Sequence, residues 1–246
     1  IEQITGFPTD EIMFDGDNLL WYGVDLMELI KQYGTPLRLA YLPKIGENIS
    51  KVRRLFNVAI AKADYKADYQ YCYCTKSSHF SFVLEEVLKN GVNIECSSAF
   101  DLNILELLFE SGRIDKQKII LCNGFKQPQY IENIQNFINN GFENIMPILD
   151  NKFELEHLMN GANEKFKLGI RIATEEEPKF NFYTSRLGIR YSDIIPYYKN
   201  VIKKNSQVEL KMLHFFINTG IKDTSYYWSE LGKAVEMYCN LKAECP

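Results

Sequence analysis

The 246-residue sequence lacks the features that define several broad classes of protein. It contains no run of about 18 or more apolar residues, the length that a membrane-spanning helix needs. It has no long basic stretch, and its formal net charge is -4, with 28 basic and 32 acidic residues. That balance argues against a nucleic-acid-binding surface. We therefore expect neither a membrane nor a nucleic acid as a partner.

The amino terminus lacks the basic and apolar regions of a signal peptide, and it does not begin with methionine. The six cysteines form no Cys-x-x-Cys pair, and the three histidines are scattered, which argues against a metal site. In a chain this long, with 46% hydrophobic residues, the cysteines are not expected to form a disulfide framework. The sequence thus predicts a reduced, cytoplasmic protein without a metal, whose numbered chain is an excerpt or a processed form.

From residue 70 onward, short apolar runs alternate with amphipathic segments, a pattern typical of a parallel sheet with helical connections. The amphipathic segments carry helix start and stop signals. One begins at Ser98, with Asp101 three residues later as in a capping box, and ends at Gly112. The predicted strands are residues 69–75, 92–97, 118–123, 145–150, 166–173 and 210–217.

The number of strand–helix units suggests the fold. Six units begin at about residue 70, and the sixth helix, near residues 226–241, ends just before the chain does. The pattern fits an α/β fold of the (β/α) TIM-barrel type, and because a closed parallel barrel needs eight units, such a barrel would stop here after its sixth unit. Two more strands would then lie beyond Pro246. An open six-stranded sheet is the alternative, and strand count does not separate the two.

The first part of the chain does not follow this alternation. Residues 35–41 are predicted to form a strand outside the barrel, in a second β domain, and a helix is predicted to begin at Asn48. The predicted domains are therefore an N-terminal segment, residues 1–69, and an incomplete barrel, residues 70–246.

Lys76 directly follows the first predicted barrel strand. In parallel barrels, functional groups lie at the carboxyl ends of the strands, where the following loops gather. A lysine in that partly dry mouth is placed to form an imine. On position alone, an ordinary strand-end lysine that extends into water is the better explanation.

Sequence motifs along the chain support the first interpretation. Residues 73–78 read Tyr-Cys-Thr-Lys-Ser-Ser, residues 120–126 read Ile-Leu-Cys-Asn-Gly-Phe-Lys, and residues 213–220 read Leu-His-Phe-Phe-Ile-Asn-Thr-Gly. Between them lie Leu-Gly-Ile-Arg-Ile at residues 168–172 and Ser-Arg-Leu-Gly-Ile at residues 185–189. In this order they resemble motifs of the alanine racemase-like, fold type III pyridoxal-phosphate enzymes. The Cys-Asn-Gly-Phe-Lys segment resembles that of the biosynthetic arginine decarboxylases.

The resemblance implies a role for each matching residue. Lys76 would bind pyridoxal phosphate as a Schiff base, and the cofactor would then act as an electron sink for decarboxylation. Glu95 and Asp101 take the places of acidic residues that orient the lysine, although Asp101 fits a helix N-cap equally well. The positions implied to contact the cofactor are Lys76, Glu95, Arg171, His214, Phe216 and Thr219.

The last motif departs from the family pattern. Phe216 stands where the family has a histidine that stacks on the pyridine ring; an aromatic face still stacks there, but the hydrogen bonding of an imidazole is lost. Asn218 and Thr219 replace Gly-Ser, and the Thr219 hydroxyl still suits a phosphate. His214 fits a core histidine as well as a cofactor contact.

The resemblance implies a homodimer or larger homo-oligomer that decarboxylates arginine to agmatine for polyamine biosynthesis. Diaminopimelate and ornithine are alternative substrates. Two other classes stay open: a non-catalytic barrel that binds pyridoxal phosphate, and an aldolase-type barrel that uses Lys76 without a cofactor. The family's glycine-rich phosphate turn and C-terminal β domain are not in the sequence, so we expect this chain not to turn over alone.

Overall fold

A computed structural model of the chain describes residues 11–173, 187–216 and 224–244. Within these residues the strands are β1 (Ile12–Asp15), β2 (Asn18–Trp21), β3 (Val24–Asp25), β4 (Cys72–Cys74), β5 (Asn93–Cys96), β6 (Ile120–Cys122), β7 (Ile145–Leu149), β8 (Phe166–Arg171) and β9 (Val208–His214). The helices are α1 (Leu26–Tyr33), α2 (Pro43–Lys62), α3 (Ser81–Lys89), α4 (Ala99–Glu110), α5 (Pro128–Asn139), α6 (Glu154–Met159), α7 (Tyr191–Tyr197) and α8 (Thr224–Glu244).

Strands β4 to β9 form one parallel sheet in which each strand pairs with the next along the chain. The predicted six-stranded parallel α/β fold is therefore confirmed. A doubly wound sheet reverses its strand order at a switch point and has helices on both faces. This sheet does not reverse, and with the usual right-handed connections its helices all fall on one face, as in a parallel barrel. Among the described residues the sheet is not closed.

The main hydrophobic core lies between the sheet and its helices. Ile94 of β5 and Ile120 of β6 are buried there, with Leu102 of α4, Ile134 of α5 and Leu155 of α6. The alternation of side chains along each strand sends neighbouring residues to the opposite face. This helix-covered face supplies most of the buried apolar surface of the described chain.

The opposite face of the sheet, which we call the inner face, has its own small apolar cluster. Leu121, Met146 and Ile148 are buried together, with Cys72 and Met212 packed against them. None of these five residues belongs to a helix, and each comes from a strand of the parallel sheet. In the part of the chain that the structure describes, no residue of α1 to α8 belongs to this inner cluster.

The N-terminal region differs from the prediction in two ways. Residues 35–41 are not a strand, since no described segment pairs with them, and the β structure lies earlier, in the antiparallel sheet β1–β2–β3. The helix predicted from Asn48 begins five residues earlier, at Pro43. Proline suits the first helical turn because its missing N–H would be unpaired there anyway.

Helix α2 packs against the first unit of the parallel sheet. Ile49 of α2 is buried with Val83 and Val87 of α3 and with Val92. This contact joins the N-terminal segment to the sheet, and the division at residue 70 stays a prediction. Within the described residues, no helix combines the length and the apolar character needed to cross a membrane.

Candidate functional site

Polar side chains collect where the parallel strands end, on the inner face. The pairing register places Glu95 beside Cys74 and Leu121, and it places His214 beside Arg171. Counting by two along β6 and β7, from Leu121 and Ile148, reaches Asn123 and Asp150 one residue past each strand end. We call the set formed here the rim cluster: Lys76, Glu95, Asn123, Asp150, Arg171 and His214.

Asn123 links two members of the rim cluster. Its Nδ2 donates to Glu95 Oε1 at 3.0 Å and lies 3.4 Å from His214 Nε2. Because the amide nitrogen is a donor, the facing imidazole nitrogen is the acceptor, and the ring proton of neutral His214 lies on Nδ1. That Nδ1 is buried and has no hydrogen-bond partner among the described residues.

His214 is held in its neutral form by its surroundings. Burial lowers the pKa of its imidazole to about 4, and the positive charges of Arg171, Lys76 and Lys126 act in the same direction. The Glu95 carboxylate opposes this shift. At neutral pH the ring therefore carries one proton, on Nδ1, where it can act as a donor.

Asp150 and Arg171 form a second pair in the rim cluster. Arg171 Nη1 lies 3.6 Å from Asp150 Oδ1, and the Asp150 side chain is 1% exposed. Neither carboxylate oxygen has a hydrogen-bond partner among the described residues. Burial raises the pKa of Asp150, while Lys126 and Arg171 lower it. Arg171 is thus a cation close to the buried Asp150 carboxylate, but the two groups are too far apart for a hydrogen bond.

Phe216 lies beside the two cations of the inner face. Its ring centroid is 5.7 Å from Lys76 Nζ and 5.5 Å from Arg171 Cζ, both within the range of cation–π attraction. The structure therefore places Phe216 next to Lys76, as the resemblance implies. Lys76 itself is exposed, contrary to the expected partly dry environment.

The other predicted site residues have mixed outcomes. The structure brings Lys76, Glu95, Arg171, His214 and Phe216 to one end of one face. Thr219 lies outside the described residues. The structure thus groups every described residue of the prediction without testing what each one binds.

Asp101 forms a variant of the capping box, in which its carboxylate accepts from the N–H of Ser97 and not from that of the N-cap residue Ser98. Ser98 Oγ accepts from the Asp101 backbone N–H at 3.3 Å, and Asp101 Oδ2 accepts from Ser98 Oγ and from the Ser97 N–H, both at 3.0 Å. The carboxylate is enclosed by this arrangement at the start of α4, since Asp101 is 4% exposed. Its hydrogen bonds shape the loop after Glu95 rather than reach Lys76.

Sequence reasoning missed Asn123 and Asp150. Asn123 lies in the segment that resembles the arginine decarboxylases, but the resemblance implies no role for it, and the sequence alone makes Asp150 or Asn151 a candidate helix cap. Of these two, Asn151 lies at the start of α6 in that way, since its Oδ1 accepts from the Phe153 and Glu154 N–H groups. Side chains alternate between the two faces along a strand, and extending that alternation one residue past β6 and β7 would have placed both residues on the inner face.

Comparisons with known proteins agree with this geometry. Residues 49–245 match the family described as "Pyridoxal-dependent decarboxylase, pyridoxal binding domain". Biosynthetic arginine decarboxylase 2 of Synechocystis sp. is 25% identical over 242 residues, which cover 89% of this chain and 36% of the relative. Arginine decarboxylase 1A of Nicotiana tabacum is 23% identical, over 92% of this chain and 33% of the relative. The chain thus spans about a third of the length of the curated relatives it matches.

Solved structures show the same fold. The diaminopimelate decarboxylase of M. jannaschii superposes with a TM-score of 0.78 at 20% identity, over 96% of this chain and 54% of that one. The biosynthetic arginine decarboxylase of Campylobacter jejuni gives a TM-score of 0.73 at 21% identity, over 95% of this chain and 40% of that one. Since the family match covers most of the sequence, this chain belongs to the pyridoxal-dependent decarboxylases and carries their pyridoxal-binding domain, whose cofactor is pyridoxal phosphate.

Proposed function

We propose that this chain supplies the cofactor-binding part of an enzyme that decarboxylates a basic amino acid, with arginine as substrate and agmatine as product. The observation that carries the proposal is the position of the Lys76 amine, beside an aromatic ring and on the face that the helices leave uncovered. Lys76 is the residue that we propose to bind the aldehyde of pyridoxal phosphate.

The residues present fit that cofactor in three respects. The exposed amine of Lys76 is accessible to an aldehyde, and the Phe216 ring beside it offers a face for stacking on a pyridine ring. His214 offers a buried N–H that has no acceptor among the described residues, and such a donor suits a bound polar group. When bound, pyridoxal phosphate supplies the electron sink that stabilises the carbanion left by loss of carbon dioxide.

The remaining rim residues adjoin His214 and Phe216. Asn123 fixes the Glu95 carboxylate and the His214 ring relative to each other through one amide group. Asp150 offsets the charge of Arg171, whose guanidinium lies beside the same Phe216 ring as Lys76. We propose that Glu95 and Arg171 help to place the cofactor, and that Thr219, outside the described residues, contacts its phosphate.

Arginine is proposed as substrate from the sequence neighbours. The curated relatives quoted above are named arginine decarboxylases, and residues 120–126 resemble the motif of that branch. Diaminopimelate and ornithine are the alternative substrates, since solved structures of diaminopimelate decarboxylase share the fold. A role in polyamine biosynthesis, a homodimer and a cytoplasmic location stay predictions.

Two measurements on the full natural protein test the proposal. Borohydride reduction with pyridoxal phosphate, followed by peptide mass mapping, is expected to place one phosphopyridoxyl group on Lys76. The group is expected to be lost in Lys76→Arg but kept in Lys152→Arg, a control at an exposed lysine. Carbon dioxide release is then measured with arginine, diaminopimelate and ornithine. Label on another lysine, or faster release from either alternative substrate, contradicts the proposal at the cofactor or at the substrate respectively.

Phe216 favours a second candidate, a barrel that binds pyridoxal phosphate without catalysis. The family's histidine at this position brings hydrogen bonds that phenylalanine lacks. This candidate predicts a reduced adduct on Lys76 with no carbon dioxide from any of the three substrates. An aldolase-type enzyme would instead give a substrate-derived adduct on Lys76 in the absence of the cofactor.

A further inference from the structure

A buried ion pair lies directly behind the rim cluster. Lys126 Nζ and Glu154 Oε2 are 3.2 Å apart, and their side chains are 0% and 4% exposed. Removing two such charges from water costs several kcal/mol per ion, so the pair is stable only where further hydrogen bonds satisfy both groups. Lys126 precedes α5 and Glu154 begins α6, so the pair joins two successive loops at the carboxyl ends of the strands.

Both members of the pair are fully bonded. Lys126 Nζ donates to the Gly124 carbonyl at 2.9 Å and to the Ile148 carbonyl, and with Glu154 it has an acceptor for each of its three protons. Glu154 Oε1 accepts from the Lys126 backbone N–H at 3.3 Å, and Oε2 accepts from the Asp150 N–H at 3.0 Å. These contacts fix the loop after β6 to the loop after β7.

Each end of this bridge adjoins a member of the rim cluster. The Gly124 carbonyl is held by Lys126, and the Gly124 N–H donates to the side-chain oxygen of Asn123 at 2.9 Å. That bond leaves Asn123 Nδ2 facing Glu95 and His214. At the other end, Glu154 holds the backbone of Asp150, whose side chain faces Arg171. The bridge therefore contacts Asp150 directly and reaches Asn123 through Gly124.

We infer that Lys126 and Glu154 are positioning residues for the cofactor site, which they serve by holding Asn123 and Asp150 in place. Neither reaches the inner face to touch a ligand directly, because both side chains are enclosed by protein. The inference rests on the proposed function in one respect, that the rim cluster is where pyridoxal phosphate binds.

The test compares variants that keep the shape of the pair. Glu154→Gln removes one charge and keeps an oxygen that can accept from the backbone. Lys126→Met with Glu154→Gln removes both charges, so that no unpaired ion is left buried. The control is Lys152→Met. Lys152 lies two residues before Glu154, and the substitution breaks its exposed ion pair with Asp193.

Two readouts are taken on the full natural chain, with folding checked by circular dichroism. In the cofactor-free protein, carbon-13 labelled histidine gives a His214 ring signal, identified by its loss in His214→Gln, with His79 as an internal reference. We expect the His214 signal to move in both Glu154 variants and to stay in the control. We also expect pyridoxal phosphate affinity to fall about tenfold, the effect that partners behind a binding residue have in metal sites.

The first readout decides the inference. A folded Glu154→Gln or double variant whose His214 signal does not move overturns it. If the wild-type protein fails to bind pyridoxal phosphate, the proposed function fails instead, and the His214 signal still decides whether the ion pair positions the rim cluster. Restoring the charged pair with Glu154→Asp is expected to return the signal part of the way toward the wild-type position.

Discussion

Replacing Gly188 by alanine is expected to disturb the structure next to Arg171 and Asp150. Gly188 has φ +101°, and its N–H donates to the Asp150 carbonyl at 2.9 Å. A Cβ atom there would lie 2.7 Å from Ala173 N and 2.9 Å from both Ala173 Cα and the Ile172 carbonyl carbon. Because these are backbone atoms, no side-chain rotation relieves the contact. The segment that contains Gly188 must therefore move away from β8.

The expected cost follows from what that movement breaks. A positive φ costs an alanine about 1–2 kcal/mol. The movement also strains the Gly188 bond to Asp150 and the bonds that join Ile189 to Arg171 and Ala173, and each hydrogen bond contributes about 1 kcal/mol. With one or two of these bonds lost, the free energy of unfolding should fall by about 2–4 kcal/mol. Affinity for pyridoxal phosphate should fall as well, because Asp150 and Arg171 lie at the point of strain.

Gly112→Ala is the matched control. Gly112 has φ +70°, and a Cβ atom there would meet nothing within 4 Å. Its cost is therefore limited to the backbone strain, about 1–2 kcal/mol. Urea unfolding measures both variants, and an unchanged slope shows that the midpoints report stability. If Gly188→Ala destabilises the protein no more than Gly112→Ala does, the steric argument is wrong.

Three further predictions concern charge and capping. The ordinary pKa of a histidine is 6.5, and in the folded chain burial lowers the pKa of His214 to about 4. Between these two pH values the unfolded chain binds more protons than the folded chain, so stability should fall as pH falls through them, by up to about 3 kcal/mol. His214→Gln should flatten this part of a stability–pH curve, and an unchanged curve would contradict the assignment. Ser98→Ala should cost about 1 kcal/mol in thermal or urea unfolding through loss of the α4 cap, and no loss would mean that the cap is dispensable. Lys126→Met should lower the free energy of unfolding by about 3–5 kcal/mol because it leaves the Glu154 charge buried and unpaired. The control Lys152→Met breaks an exposed ion pair and should lower it by under about 1 kcal/mol. Equal losses in urea unfolding would contradict the burial argument.

The regular part of the fold could be predicted because its signals are local. Each of the six parallel strands overlaps its predicted segment, although β9 begins two residues earlier than predicted, and Ser98 caps α4 as its spacing to Asp101 predicts. Period-two apolar runs and helix caps depend on residues a few positions apart, which the sequence displays directly.

The N-terminal region could not be predicted for a physical reason. A strand exists only where a partner offers hydrogen bonds, and residues 35–41 have an apolar, extended pattern without such a partner among the described residues. The strands that do pair there, β1 to β3, are two to four residues long. So few residues do not establish an alternating pattern.

Only part of the candidate site could be predicted, because some of its residues depend on contacts with residues far away in sequence. Motif resemblance gave Lys76, two residues past the end of β4, and Arg171, the last residue of β8. Asn123 and Asp150 take their importance from residues far away in sequence, such as His214, which is 91 positions from Asn123. The exposure of Lys76 depends on which elements cover the inner face, and no local pattern reports that.

The order of the strands in the parallel sheet also bears on how the chain can assemble. Every pairing of β4 to β9 joins neighbours along the sequence, from Cys72 with Asn93 to Phe166 with Val208, so no ladder among these six described strands waits for a remote segment. Fold topologies built from such nearby pairings tend to form faster than those that join distant segments. During synthesis, each strand can therefore find its neighbour soon after that neighbour leaves the ribosome, and the sheet can grow from β4 outward.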